Sequence, residues 1–193
     1  MKKDIILSGV GGQGILSIAT VIGEAATAAG LFLKQAEVHG MSQRGGDVQS
    51  NLRLSNEVIY SDLIPVGSAD LIISMEPMEA LRYLPYLSRT GRVVTSSRPF
   101  VNIPDYPDKD VLLAELDSLP DVVRLDIEEA ARACGNPKGA NMVLLGMAAP
   151  AIGILGADEL REAIGRVFAR KGDAIVEANR KAFDIGLAAA QSR

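Results

Sequence analysis

The sequence predicts a three-layer α/β/α domain with a mixed, mostly parallel sheet that includes one antiparallel hairpin, and a helical C-terminal part. Three observations predict it. Short apolar runs such as "DIILS" and "ADLIISM" alternate with stretches whose apolar residues recur at helical spacing, the pattern of strand and helix units that feed a parallel sheet. Two neighbouring runs are separated only by a short polar turn, which adds an antiparallel pair. The last third is almost wholly helical in its periodicity. A chain of 193 residues can bury about 70% of its unfolded surface around one core, so residues 1–193 are read as a single domain.

Residues 4–8 form a first strand that ends at glycines. In "GILSIATVIGEAATAAG" Ile15, Ile18, Ala19, Ile22 and Ala26 then repeat on one helical face, and Gly30 closes the helix. "LFLKQAEV" is a second strand. "DVQSNLRLS" and "EVIYSD", joined at Ser55 and Asn56, read as the hairpin. "ADLIISM" is a buried strand, and Pro77 suits the first turn of the helix "PMEALRYLPYL". "GRVVTSS" is a strand, followed by a Pro- and Asp-rich segment over 98–106, a helix near 109–118 and the strand "DVVRLDI". Helices follow at 128–133, from Asn141, in "ADELREAIGRVFARK" and in "AIVEANRKAFDIGLAAAQ". Pro150 predicts a kink or break in the apolar one, "MVLLGMAAPAIGIL".

The composition bounds the function. With 20 Lys and Arg against 24 Asp and Glu, the net charge of -4 offers no basic face for a nucleic acid. No run reaches the roughly 18 apolar residues of a membrane span, and the opening "MKKDIILSGVGG" is interrupted too soon for a signal sequence. Cys134 is the only cysteine, which excludes an intrachain disulfide, a Cys-rich zinc site and an iron–sulfur cluster held by this chain alone. A reducing cytoplasm is the expected compartment. Aromatic residues are only 4% of the chain, so Ala, Leu, Val and Ile fill the core.

Two motifs carry candidate chemistry. Gly9, Val10, Gly11, Gly12, Gln13 and Gly14 match G-x-G-x-x-G directly after a strand and before a helix. Such a turn brings free N–H groups and a helix dipole toward a phosphate or carboxylate. It is equally consistent with a tight turn that binds nothing. Two features weaken a dinucleotide reading: the acid it needs roughly 20 residues further on would be Glu37, which runs straight into the second glycine-rich loop, and no acid/base pair or substrate arginine is otherwise apparent. The second motif is "VHGMSQRGGD", residues 38–47, which holds the chain's one histidine, His39, with Gln43, Arg44, Gly45 and Gly46. Taken alone, His39 reads as structural and Arg44 as a surface charge. Together, flexible backbone and convergent donors are what a binding or docking surface needs.

"SGVGGQGI", "EVHGMSQRGGDVQSNLR" and "NMVLLG" together resemble the gamma (catalytic-domain) family of 2-oxoacid:ferredoxin oxidoreductases, in the branch of indolepyruvate oxidoreductase beta subunits. The likeness spans nearly the whole chain, and Arg44-Gly45-Gly46 is its discriminating part. The resemblance implies an α/β/α component of a larger enzyme that decarboxylates a 2-oxoacid, here an aryl pyruvate, on thiamine diphosphate. Electrons pass through iron–sulfur clusters to ferredoxin, and the acyl group goes to coenzyme A. Thiamine diphosphate and the clusters then belong to a large partner subunit, and this chain holds no tightly bound cofactor and no metal. It is expected to be inactive alone.

On that resemblance His39 and Arg44 are the candidate catalytic residues, facing the partner's active site. Gly9, Gly11, Gly12, Gln13, Gly14, Gln43, Gly45, Gly46 and Asn141 are candidates to contact coenzyme A or the partner's cofactor. Asn141 has a simpler reading as a helix cap, and Met41, Met75, Met78, Met142 and Met147 as core or interface filler. Self-association is compatible with the sequence. Two other classes stay open: an NAD(P)-dependent dehydrogenase built on the glycine turn, and a non-enzymatic nucleotide-binding or assembly domain.

Overall fold

The computed structural model describes residues 1–39 and 45–192, His39 by its backbone alone. The elements are β1 (Lys2–Val10), α1 (Ile15–Ala28), β2 (Phe32–His39), β3 (Asp47–Ser55), β4 (Ala69–Ser74), α2 (Pro77–Arg82), β5 (Leu87–Ser96), α3 (Lys109–Asp117), β6 (Val122–Leu125), α4 (Ile127–Ala133), α5 (Ala140–Ile152), α6 (Ala157–Phe168) and α7 (Asp173–Gln191).

Six strands form one sheet in the order β2, β3, β1, β4, β5, β6. β1, β4, β5 and β6 run parallel. β3 lies antiparallel between β1 and β2, paired with β1 from Lys2 and Ser55 to Val10 and Asp47. The expected hairpin partner is therefore corrected: β3 pairs with the strand before it, and "EVIYSD" forms no strand. Both edges of β3 are already taken, so the segment after it has no ladder to join. Its backbone is met by β3 side chains instead. Arg53 Nη1 donates to the Ser61 and Leu63 carbonyls at 3.1 and 3.0 Å, and Ile64 N–H donates to Asn51 Oδ1 at 3.1 Å.

Consecutive residues of β1 are buried on opposite faces, which is why the run reads as continuously apolar. Ile5 and Leu7 join Leu52, Leu54, Leu71, Ile73 and Val94 in the core beneath α1, α4, α5, α6 and α7. Ile6, Ile72 and Val93 join Ile64, Tyr83 and Leu116 on the other face, beneath α2 and α3. The three-layer expectation is met, and aliphatic residues do fill the core. Met75, Met142 and Met147 are buried within it.

α5 is apolar on every face from Met142 to Ala149 because that stretch is buried all round. It is not broken at Pro150, which is exposed; the helix continues to Ile152 and stops before Gly153 at φ 67°. α5 crosses α7 at two glycines. A Cβ at Gly186 would stand 1.9 Å from the Val143 carbonyl oxygen, and one at Gly146 would stand 2.0 Å from that of Phe183, so the backbones touch where no side chain fits. Among the described residues no helix is long and apolar enough to cross a membrane.

Candidate functional site

The carboxyl ends of β1, β4, β5 and β6 share one edge of the sheet, where ligands of open α/β sheets bind. Both motifs meet there. β1 ends at Val10 in the middle of the sheet, and the chain must turn at once to start α1 on one face. Gly12 at φ 101° and Gly14 at φ 86° make that turn. Gln13 locks it: Val10 N–H donates to Gln13 Oε1 at 2.7 Å, and Gln13 N–H returns to the Val10 carbonyl at 3.1 Å. Gly9 is small for a reason, since a Cβ there would press against Gln13 Oε1 at 3.0 Å and Met75 Cβ at 3.1 Å.

The far end of the second motif docks on this turn. Gly11 N–H donates to the Gly46 carbonyl at 2.9 Å, and the Asn102 amide donates to the Gly45 carbonyl at 2.7 Å. Gly45 has φ 78°, a left-handed conformation that a side chain would resist. Gly9, Gly11, Gly12, Gln13, Gly14, Gly45 and Gly46 thus lie together. Gln43, Arg44 and the His39 side chain lie outside the described residues; the His39 backbone ends β2 at the same edge.

Asn141 belongs here as well, not as a cap. The cap position of α5 is Gly139, and the Asn141 side chain reaches across to donate to the Gly14 carbonyl at 3.1 Å. A Cβ at Gly14 would meet Asn141 Nδ2 at 2.8 Å. The turn and Asn141 line a cleft of about 430 Å³ that also takes in Arg132 and Lys138. A second cleft of about 280 Å³ shares Asn141 and Lys138 and adds Ser17 and Lys171. Lys171 stands 5.2 Å over the Phe168 ring.

Beside the turn, Glu76 is fully buried where β4 ends. Its Oε2 accepts from Glu79 N–H at 2.9 Å and caps α2, while Oε1 accepts from Phe100 N–H at 3.2 Å and from the Tyr106 hydroxyl. Burial first, and then this hydrogen bond, push the Tyr106 phenol well above its ordinary range. Burial also raises Glu79, against the opposing pull of Arg82, whose Nε is 2.9 Å away. Sequence reasoning missed Glu76, Asn102 and Tyr106. Only Glu76 left a signal, as the residue before a helix-opening proline.

The donor set does not fit a resident cluster: one cysteine cannot supply four thiolates, and the Cys134 thiol is buried against the Ala131 carbonyl. The acid expected of a dinucleotide site is misplaced too. β3 separates β2 from β1, which leaves Glu37 about 10 Å, or two strand spacings, from the glycine strand. Its carboxylate accepts from Gln35 at 2.5 Å.

The family model described as pyruvate ferredoxin/flavodoxin oxidoreductase matches residues 4–189. The chain belongs to this family. Four relatives at 35–38% identity over nearly the full chain are each an indolepyruvate oxidoreductase subunit IorB; that of Pyrococcus horikoshii is 38% identical over 99% of this chain and 98% of its own length. Among solved structures, the gamma subunit of keto/oxoacid ferredoxin oxidoreductase from Geobacter sulfurreducens has a TM-score of 0.73 at 25% identity, covering 99% of both chains. The 2-oxoglutarate:ferredoxin oxidoreductase from Magnetococcus marinus, solved with 2-oxoglutarate, coenzyme A and succinyl-CoA, shares the fold at a TM-score of 0.75 and 21% identity over 100% of this chain and 31% of its own. The fold and the family expected from the three sequence motifs are both borne out, and the curated relatives are oxidoreductase subunits.

Proposed function

We propose that residues 1–193 act as one gamma-type domain, the small subunit of an indolepyruvate:ferredoxin oxidoreductase in the cytoplasm. Its partner is a large subunit that holds thiamine diphosphate and the iron–sulfur clusters and passes electrons to ferredoxin. When bound, thiamine diphosphate supplies the carbanion chemistry of decarboxylation. The observation that carries this reading is the Gly11 N–H to Gly46 carbonyl hydrogen bond, which fastens the two family-bearing motifs into one surface at the functional edge of the sheet.

In this reading His39 and Arg44, whose side chains lie outside the described residues, serve the partner's active site. Arg44 offers a planar fork for a carboxylate, and His39 can hold or move a proton near neutral pH. Coenzyme A, present in the Magnetococcus enzyme, is the co-substrate. Its phosphates suit Lys138 and Lys171 in the adjoining clefts, with Gly12, Gln13, Gly14 and Asn141 at the rim.

The test is reconstitution. The purified chain is expected to carry no iron and no thiamine, and to reduce no viologen dye with indolepyruvate and coenzyme A until the large subunit is added. Turnover by the chain alone would overturn the assignment. Full activity of the complex after both His39→Ala and Arg44→Ala would reduce the loop to scaffolding.

A further inference from the structure

We infer that Asn102 is a positioning residue, held by the buried Glu76, that sets the Gly45–Gly46 turn against the glycine motif; the inference rests on the proposed function for what that placement serves. Phe100 and Tyr106 flank Asn102 in the chain, and a single oxygen, Glu76 Oε1, accepts a hydrogen bond from each. The span between them is therefore fixed at both ends to the carboxyl terminus of β4. Glu76 is itself fixed: Oε2 caps α2 through Glu79 N–H, its carbonyl accepts from Ser74 Oγ at 2.7 Å, and its N–H donates back to Ser74 Oγ at 3.3 Å.

From this anchored span the Asn102 amide reaches 2.7 Å to the Gly45 carbonyl. The next carbonyl, that of Gly46, takes Gly11 N–H. The line from β4 through Glu76, Asn102 and Gly45 to Gly11 is unbroken, and it ends on the turn beside the cleft. Asn102 Oδ1 is buried and has no hydrogen-bond partner among the described residues. A carbonyl-to-amide contact is short-ranged and directional, so losing it frees Gly45 without dismantling the core.

Hydrogen exchange on the isolated chain and steady-state kinetics on the reconstituted holoenzyme test this together. Asn102→Ala, and Asn102→Asp, which keeps the shape but sets a carboxylate against the Gly45 carbonyl, are expected to speed exchange over residues 45–48 about fivefold, the worth of one ordinary hydrogen bond. Amides of β1, β4 and α5 stay unchanged. Tyr106→Phe, which removes only the phenol's bond, is expected to speed exchange over both 98–106 and 45–48. In the holoenzyme Asn102→Ala raises the KM for coenzyme A about fivefold with kcat held within about twofold.

Unchanged exchange over 45–48 in the Asn102 variants overturns the inference, as does a Tyr106→Phe effect confined to 98–106. So does a uniform rise across the core, or a fall in kcat with KM unmoved, the signature of a merely structural loss. A wild-type complex that turns over no 2-oxoacid refutes the proposed function instead, and leaves the exchange result to be judged alone.

Discussion

Replacing Gly14 by alanine probes the site at its tightest point. Gly14 sits at φ 86° as the residue before α1, a conformation that costs a residue with a Cβ about 1–2 kcal/mol. The new methyl would stand 2.8 Å from Asn141 Nδ2, so the amide must withdraw and its bond to the Gly14 carbonyl is lost, adding about 1 kcal/mol. The expected loss is about 2–3 kcal/mol, a large share of the stability of an ordinary domain. Asn141→Ala alone forfeits the same hydrogen bond, about 1 kcal/mol. In Gly14→Ala with Asn141→Ala that bond is lost only once, and the methyl has room, so the pair should cost about 1 kcal/mol less than the two singles added. Urea unfolding of the four proteins, with equal m-values, measures the cycle. Additive losses, or a Gly14→Ala cost below about 0.5 kcal/mol, would refute the contact between α5 and the turn.

Three other outcomes follow from the packing and the ionisable groups. Gly186→Ala sets a methyl 1.9 Å from the Val143 carbonyl oxygen; α5 and α7 must part, at about 2–3 kcal/mol or more, seen as a melting temperature lower by about 5–10 °C. Arg53→Met strips Asp4, fully buried and held by Arg53 Nε at 2.8 Å, of its bidentate partner; Lys2, also at 2.8 Å, softens a loss that otherwise reaches about 3–5 kcal/mol by urea unfolding. Tyr83, buried beneath α2, has its phenol pushed up from 10.0 to about 12 by desolvation. Between those values the unfolded chain has released the proton that the folded one keeps, so this contribution is whole below pH 10 and falls as pH rises, at about 1.4 kcal/mol per unit. Tyr83→Phe should flatten the decline in urea stability between pH 10 and 12, and an unchanged decline would place its cause elsewhere.

What the sequence revealed of this molecule divides along contact range. β1, its glycine turn and α1 are legible because each step is local: an apolar run, glycines for φ above zero, then Ile15, Ile18 and Ile22 on one face. The hairpin was misplaced because Ser55 and Asn56 look like a turn locally, whereas the partners of β3 are decided by β1, some fifty residues earlier in the register that joins Lys2 to Ser55. Asn141 looked like a cap because it opens an apolar run; its bond to Gly14 spans 127 positions and leaves no local mark. Asn102 and Tyr106 leave no local mark for the same reason, and Pro77 marks Glu76 only as a cap, since the contacts that join the three to the site span 24 to 57 positions.

The glycine turn shows how one motif can serve two ends. In a dinucleotide fold its N–H groups point at a pyrophosphate and the neighbouring strand carries the ribose acid. Here Val10 N–H goes to Gln13, Gly11 N–H to Gly46 and Gln13 N–H to Val10, so three donors of the turn are spent inside the protein. Inserting β3 beside β1 is what makes this possible: the strand that displaces Glu37 also delivers the Gly46 carbonyl to Gly11. The glycines then do less to grip a ligand than to let two chain segments touch. What remains to offer an anion is the lysines of the adjoining clefts, since Ser17 N–H in the first turn of α1 donates to the Gly14 carbonyl at 3.1 Å. A turn closed on its own loop in this way suits a subunit that presents a shaped surface to a partner better than one that holds a nicotinamide cofactor by itself.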